Sequence, residues 1–196
     1  MRILAIGDST TAGTPGFRSP VEAPPDGTGD VQSQYAYWMM QKHPQWKVFN
    51  RGVNGQRSDQ ISARFEKELD AVRPDAVILL AGVNDLYQGG SVQGVTMNLA
   101  KMYAAAQERK LAVVACTVLP YDSATASLRQ KILEVNDWVR SYSNQHGLIF
   151  CDTFGVVSDP GGAFKLRESP DGLHPSPEVY RSMGEALADV LHSQKK

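Results

Sequence analysis

Two runs in the chain, Ala76–Leu80 and Leu111–Ala115, are apolar at every position. A strand with one wet face alternates apolar and polar residues. A run without alternation needs cover on both faces, and parallel sheets obtain that cover from helices. Three further short runs fit the same sheet: Ile3–Ile6, Val48–Asn50 and Leu148–Phe150. Between them lie stretches of helical period. Ile61, Phe65, Leu69 and Val72 form one stripe, with Ser58 placed to cap it and Pro74 to stop it. Val95, Leu99, Met102 and Ala106 form the next. Leu128, Ile132, Val135, Val139 and Tyr142 form a third, ended near Gly147. Tyr180, Met183, Leu187 and Leu191 form the last, with Ser176 and Pro177 as cap and first residue. A first helix is expected from Gln34 to Lys42. Strand and helix therefore alternate five times. The expectation is an α/β chain, one three-layer α/β/α domain over 1–196 around a five-stranded parallel sheet.

Composition narrows the function classes. The 196 residues carry 20 basic and 21 acidic side chains, a net charge of -1. No basic stripe stands out, so nucleic acid is not expected as a partner. No apolar run is long enough to span a membrane, so no stable membrane anchor is expected. The first residues run straight into Gly7-Asp8-Ser9 without a signal-peptide pattern. A cytoplasmic chain is expected, or a secreted one if a leader precedes this sequence. The Lys-Lys end reads as a solvated tail. The two cysteines, Cys116 and Cys151, each end an apolar run and read as buried thiols.

In open α/β sheets, sites form outside the carboxyl ends of the strands. Four segments fall there. Gly7-Asp8-Ser9-Thr10 follows the first strand and opens a helical turn, whose free N–H groups favour negative charge. Asn54-Gly55-Gln56-Arg57-Ser58 follows the second, and Gly55 lets a backbone N–H approach a ligand. Gly82-Val83-Asn84-Asp85 follows the third; Asn84 offers an amide donor, and Asp85 reads as a brace or cap. Asp171-Gly172-Leu173-His174 precedes the last helix. Its spacing lets the carboxylate reach Nδ1 of the imidazole, which leaves Nε2 free to take a proton. Taken singly, each segment is better explained as a cap, a turn glycine or a surface contact. Together they supply a nucleophile, a base, an orienter and oxyanion donors, the parts a serine hydrolase needs.

Over nearly its whole length the chain resembles the SGNH, or GDSL-like, serine esterase/lipase family. Gly7-Asp8-Ser9, Gly55, Gly82-x-Asn84-Asp85 and Asp171-x-x-His174 look like its four blocks, in order. The resemblance implies the flavodoxin-like SGNH hydrolase fold with strand order 2-1-3-4-5. It implies catalytic Ser9, Asp171 and His174, and an oxyanion hole from Ser9, Gly55 and the Asn84 amide. It implies no metal or organic cofactor and a small-molecule ester as substrate. Oligomeric state stays open. Thr10 stands where the family often has leucine, a position without chemistry.

Within that frame the sequence favours short acyl chains, since no long apolar insertion offers to hold a lipid tail. Lysophospholipase, thioesterase and acyltransferase activities use the same triad and stay open. A non-enzymatic nucleotide-binding module is the rival from another class. It lacks a G-x-G-x-x-G or G-x-x-x-x-G-K-[ST] sequence after any strand, and it leaves Asp171 and His174 unexplained. A Pro- and Gly-dense stretch, Thr14–Asp30, follows the first strand and is a candidate wall or lid for the acyl pocket. Phe17, Tyr35, Tyr37, Trp38 and Tyr87 are candidate pocket or core aromatics, most of them core. His43, His146 and His192 lie at helix ends and read as ordinary solvated histidines, and no cluster has metal-ligand spacing.

Overall fold

The computed structural model describes residues 1–193; the Lys-Lys tail lies outside them. Its main sheet contains β1 (Arg2–Gly7), β4 (Lys47–Gly52), β5 (Ala76–Leu80), β6 (Ala112–Cys116) and β7 (Ile149–Cys151). All pairs are parallel, in the order β4-β1-β5-β6-β7. Counting only these five, that is the expected 2-1-3-4-5. Four of the strands extend or shift by one or two residues from the sequence-based bounds. Leu111 drops out of β6 because its N–H closes onto Ala106 O at the end of the preceding helix.

Alternation along each strand feeds two cores. Ile3 and Ala5 of β1 point to one face, Leu4 and Ile6 to the other. The first face is covered by α2 (Tyr35–Lys42) and α8 (Pro177–Ser193), through Tyr35, Met39, Val179, Tyr180, Met183 and Leu187. The second is covered by α3 (Ser58–Val72), α5 (Val92–Glu108) and α6 (Ala126–His146), through Ile61, Phe65, Leu99, Met102, Val135 and Val139. This is why the central strands are apolar throughout. Each fully buried aliphatic side chain contributes about 1.5–3 kcal/mol, so neither face can be left wet. Cys116 and Cys151 are buried, free and side by side in register. No helix among the described residues is long and apolar enough to cross a membrane.

The helix stops fall where expected, at Arg73 before Pro74 and at left-handed Gly147. Ser58 differs from expectation. The cap position of α3 is Arg57, whose N–H donates to Gln60 Oε1, and Ser58 is the first helical residue. Short helices follow three strands directly: α1 (Ser9–Ala12), α4 (Val83–Tyr87) and α7 (Thr153–Val157). One turn is too brief to show a period in sequence.

The Thr14–Asp30 stretch is folded. It forms a small antiparallel ladder, β2 (Phe17–Arg18) against β3 (Thr28–Gly29), then a 3-10 turn at Val31–Ser33. It lies beside the edge strand β4, where Phe17 and Pro25 share a surface pocket with Val48 and Asn50. Phe17 and Tyr35 are core residues, as expected.

Candidate active site

Register brings the first three segments together. Gly7 of β1 pairs with Gly52 of β4 and with Leu80 of β5, so three adjacent strands end level. The loops that leave them start from one line. Backbone contact is close here: a Cβ on Gly52 would stand 2.1 Å from Ala12 N.

Ser9 opens α1, 5% exposed. Asp8 before it caps the helix, its Oδ1 accepting the Thr10 N–H at 3.0 Å. Burial raises the Asp8 carboxyl to about 7; the Thr10 N–H works against this, and Asp85 adds to it. Gly55 has φ +75°, a left-handed turn suited to glycine. Its loop is tied down from several sides. Asn84 Nδ2 donates to Gln56 O at 3.0 Å. Arg64 of α3 donates from Nε to Gln56 Oε1 at 2.8 Å and from Nη2 to Gly7 O at 3.1 Å. Arg64 thus fixes the end of β1 against the glycine loop. Sequence reasoning missed it; a basic residue inside the apolar stripe of α3 was the available signal.

Asp85 turns out to be a cap for a distant helix. Its carboxylate accepts the Ser58 N–H at 2.8 Å and the Ser58 hydroxyl at 2.5 Å, and Asn98 Nδ2 donates to the same hydroxyl. The start of α3 and the Asn84 turn therefore hold each other.

The fourth segment comes from the far end of the chain. Asp171 Oδ2 lies 2.7 Å from His174 Nδ1, while Oδ1 accepts the His174 N–H at 2.8 Å and the Leu173 N–H at 3.0 Å. Burial alone would raise the Asp171 carboxyl, but the bonds from the His174 ring and from the two N–H groups outweigh it and hold it at about 2. It is therefore an anion throughout the neutral range. His174 is 7% exposed, and its Nε2 is buried without a hydrogen-bond partner.

A cavity of about 20 Å³ adjoins Ser9, lined by Leu80, Ala81, Val83, Asn84, Val118, Leu119, Pro120 and Tyr121, with Leu173 over it. A pocket of about 520 Å³ continues from it, between Asn84, Tyr87, Tyr121, Asp122, Ser123 and the Asp171–Leu173 turn. Ser9, Asn84 and the turn bearing Asp171 and His174 are thus brought to one place. Gly55 lines neither cavity; its neighbour Gln56 accepts the Asn84 amide. No hydrogen bond joins Ser9 Oγ to His174 Nε2 in this state, a bond that often tightens only around substrate. The Thr14–Asp30 segment lines neither cavity, so it does not form the wall or lid that its position suggested. It acts on the glycine loop instead: Ser19 Oγ donates to Gly52 O at 2.6 Å, and Glu22 Oε1 accepts the Asn54 N–H at 2.9 Å. Tyr121 and Asp122 were not singled out from sequence, although Pro120-Tyr121-Asp122 follows a central strand at the same sheet edge.

His43 stacks on Trp46 and His192, and His146 on Tyr142, all at helix ends remote from this pocket. Among the described residues no group of three or more His, Cys, Asp or Glu is placed to hold a metal ion.

Solved structures with this architecture include a putative lipolytic protein of the G-D-S-L family from Desulfitobacterium hafniense. It is 23% identical with a TM-score of 0.78, over 96% of this chain and 98% of that one. A G-D-S-L lipolytic family member from Veillonella parvula is 21% identical, with TM-score 0.79 and 98% of both chains covered. A catalytic mutant of Axe2, an acetylxylan esterase from Geobacillus stearothermophilus, is 19% identical, with TM-score 0.77 over 97% of this chain and 93% of that one. At these identities the likeness is one of fold. A search of curated proteins finds no match. The GDSL-like Lipase/Acylhydrolase family, however, matches residues 5–182, almost the full span from Ser9 to α8. The chain belongs to the GDSL-like lipase/acylhydrolase family.

Proposed function

We propose that this hydrolase cleaves carboxylic esters of short acyl chains through a serine nucleophile and an acyl-enzyme. The observation that carries the reading is the His174 ring. Its Nδ1 is held 2.7 Å from an anionic Asp171, and its Nε2 is buried without a partner. That arrangement fixes one tautomer and leaves a base ready for a proton.

In this mechanism Ser9 Oγ attacks the ester carbonyl carbon while His174 Nε2 takes the hydroxyl proton. The carbonyl oxygen becomes an oxyanion, held by the N–H groups of Ser9 and Gly55 and by Asn84 Nδ2, whose second hydrogen is not needed for Gln56. His174 returns the proton to the leaving alcohol. Water then attacks the acyl-enzyme by the same route in reverse, releasing the acid and free Ser9. Asp171 orients the imidazole and stabilises its charged form. The chemistry calls for no metal or organic cofactor.

The 20 Å³ cavity beside Ser9 supports a short acyl group. It has room for roughly one or two water-sized groups, about a methyl.

Ser9→Ala tests the assignment. It should lower p-nitrophenyl acetate turnover by roughly 10⁴-fold or more, with the far-ultraviolet circular dichroism unchanged. Turnover at the wild-type rate in a folded variant would overturn the reading.

A further inference from the structure

The 520 Å³ pocket beyond Ser9 has a construction of its own. Asn84 and Tyr87 stand three residues apart on the single turn of α4, so they share a face. Tyr87 is 68% exposed, the most exposed large apolar side chain among the described residues. Tyr121 meets it edge-on, with ring centroids 6.5 Å apart. Tyr121 itself is 2% exposed, lines both cavities, and has a buried hydroxyl with no partner. The Asp122 carboxylate packs against Gly172 and accepts no hydrogen bond among the described residues, while the Asp122 N–H donates to Gly172 O at 2.8 Å. That last bond joins the Tyr121 loop to the turn that carries His174.

We propose that this pocket is the leaving-group subsite and that it takes a neutral, hydroxyl-bearing ring, the alcohol half of an acylated sugar. The inference rests on the ester-hydrolase reading. His174 must return a proton to the leaving oxygen, so that oxygen comes within hydrogen-bond reach of Nε2. The alcohol therefore lies along the Asp171–Leu173 turn, which is a wall of this pocket. Size agrees: the cavity at Ser9 admits a methyl, and the large volume is left for the alcohol. The lining then chooses the alcohol. Tyr87 presents an open aromatic face, which packs on the C–H face of a sugar ring. Asp122 offers acceptors to hydroxyl donors, and the unpartnered Tyr121 Oη can pair with a ring or hydroxyl oxygen. Asp122 and Asp171 are acidic, and no lysine or arginine lines the pocket. A phosphate or carboxylate on the alcohol would be repelled.

The test compares kcat/KM for four acetate esters: a mono-O-acetylated methyl glucoside with its other hydroxyls free, ethyl acetate, acetylcholine and acetylated glycerol phosphate. Expected for the wild type is the glucoside ester first and the glycerol phosphate ester last. Tyr87→Ala should lower the glucoside-to-ethyl ratio about three- to tenfold, mostly through KM, as an aromatic stacking contact implies. Asp122→Lys should raise the glycerol phosphate-to-glucoside ratio by about tenfold. Acetylcholine ahead of the glucoside would overturn the proposal in favour of a cationic alcohol. An unchanged glucoside-to-ethyl ratio in Tyr87→Ala would overturn it as well. If Ser9→Ala retains turnover, the hydrolase mechanism itself fails. If Ser9→Ala is inactive and the ratios do not move, the subsite alone fails.

Discussion

The two flanks of Ser9 are built from opposite kinds of loop. On the β4 side lies the Thr14–Asp30 hairpin, whose inward polar groups are matched. Ser19 Oγ is bonded to Gly52 O, both Glu22 oxygens receive backbone N–H groups, and Asp30 caps the following turn. On the β6 side, Tyr121 Oη and His174 Nε2 are buried without partners, and the Asp122 carboxylate accepts no hydrogen bond among the described residues. Native proteins leave few buried polar groups unsatisfied, and those few call for a reason. The matched flank holds backbone in place. The unmatched flank holds groups ready for something that is not protein.

The largest test of this contrast is Asn84, which serves both flanks: one amide hydrogen goes to Gln56 O, the other is proposed for the oxyanion. Asn84→Ala should lower kcat on p-nitrophenyl acetate about 100- to 1000-fold with a smaller change in KM. A loss below about tenfold would place Asn84 with the matched, structural groups.

Asp8 sharpens the contrast through pH. Burial raises its carboxyl to about 7 from 3.8, so between those values the folded state binds a proton that the unfolded state has released. Stability from this group therefore falls as pH rises through that window. Asp8→Asn keeps an acceptor for the Thr10 N–H and removes the buried charge. Urea unfolding should show it about 2–3 kcal/mol more stable than wild type near pH 8 and equal to it near pH 4. An equal advantage at both pH values would mean that ionisation is not the cause.

The smallest expected effect belongs to the hairpin. Ser19→Ala leaves Gly52 O without its donor, a loss of about 1–3 kcal/mol. For a chain of this size, Tm should fall by about 2–4 °C per kcal/mol. The ranking of acetate esters should stay as in the wild type. A changed ranking would show that the hairpin reaches the substrate, and would break the division between flanks.

The fold was legible because it rests on patterns that act over many residues. Ala76–Leu80 has no polar position, so it had to be central, and the α3 stripe is regular from Ile61 to Val72. The four site segments were legible because strand ends are where an open sheet gathers loops. What escaped depends on partners distant in sequence. Ser58 looks like a cap until Asp85, 27 residues on, is seen to cap the helix in its place. Thr14–Asp30 drew attention by its Pro and Gly density, but a two-residue ladder and a serine bonded across 33 residues leave no local signal. Tyr121 and Asp122 sit in an irregular segment that is positioned by Asn136. Its Oδ1 accepts the Val118 N–H at 2.7 Å and its Nδ2 donates to Val118 O at 2.9 Å. No periodicity in the chain announces such a clamp.

The single turn of α4 carries a last consequence. Asn84 and Tyr87 are spaced by one helical turn, begun at Gly82 and ended before Gly89 and Gly90. Under the proposed mechanism that turn would act as a ruler between the carbonyl end of a bound ester and its far end. Lengthening the loop by one residue would rotate Tyr87 by about 100° around the helix and pull Asn84 from Gln56. Redesign of substrate range at this site is thereby channelled into exchanging side chains at fixed length.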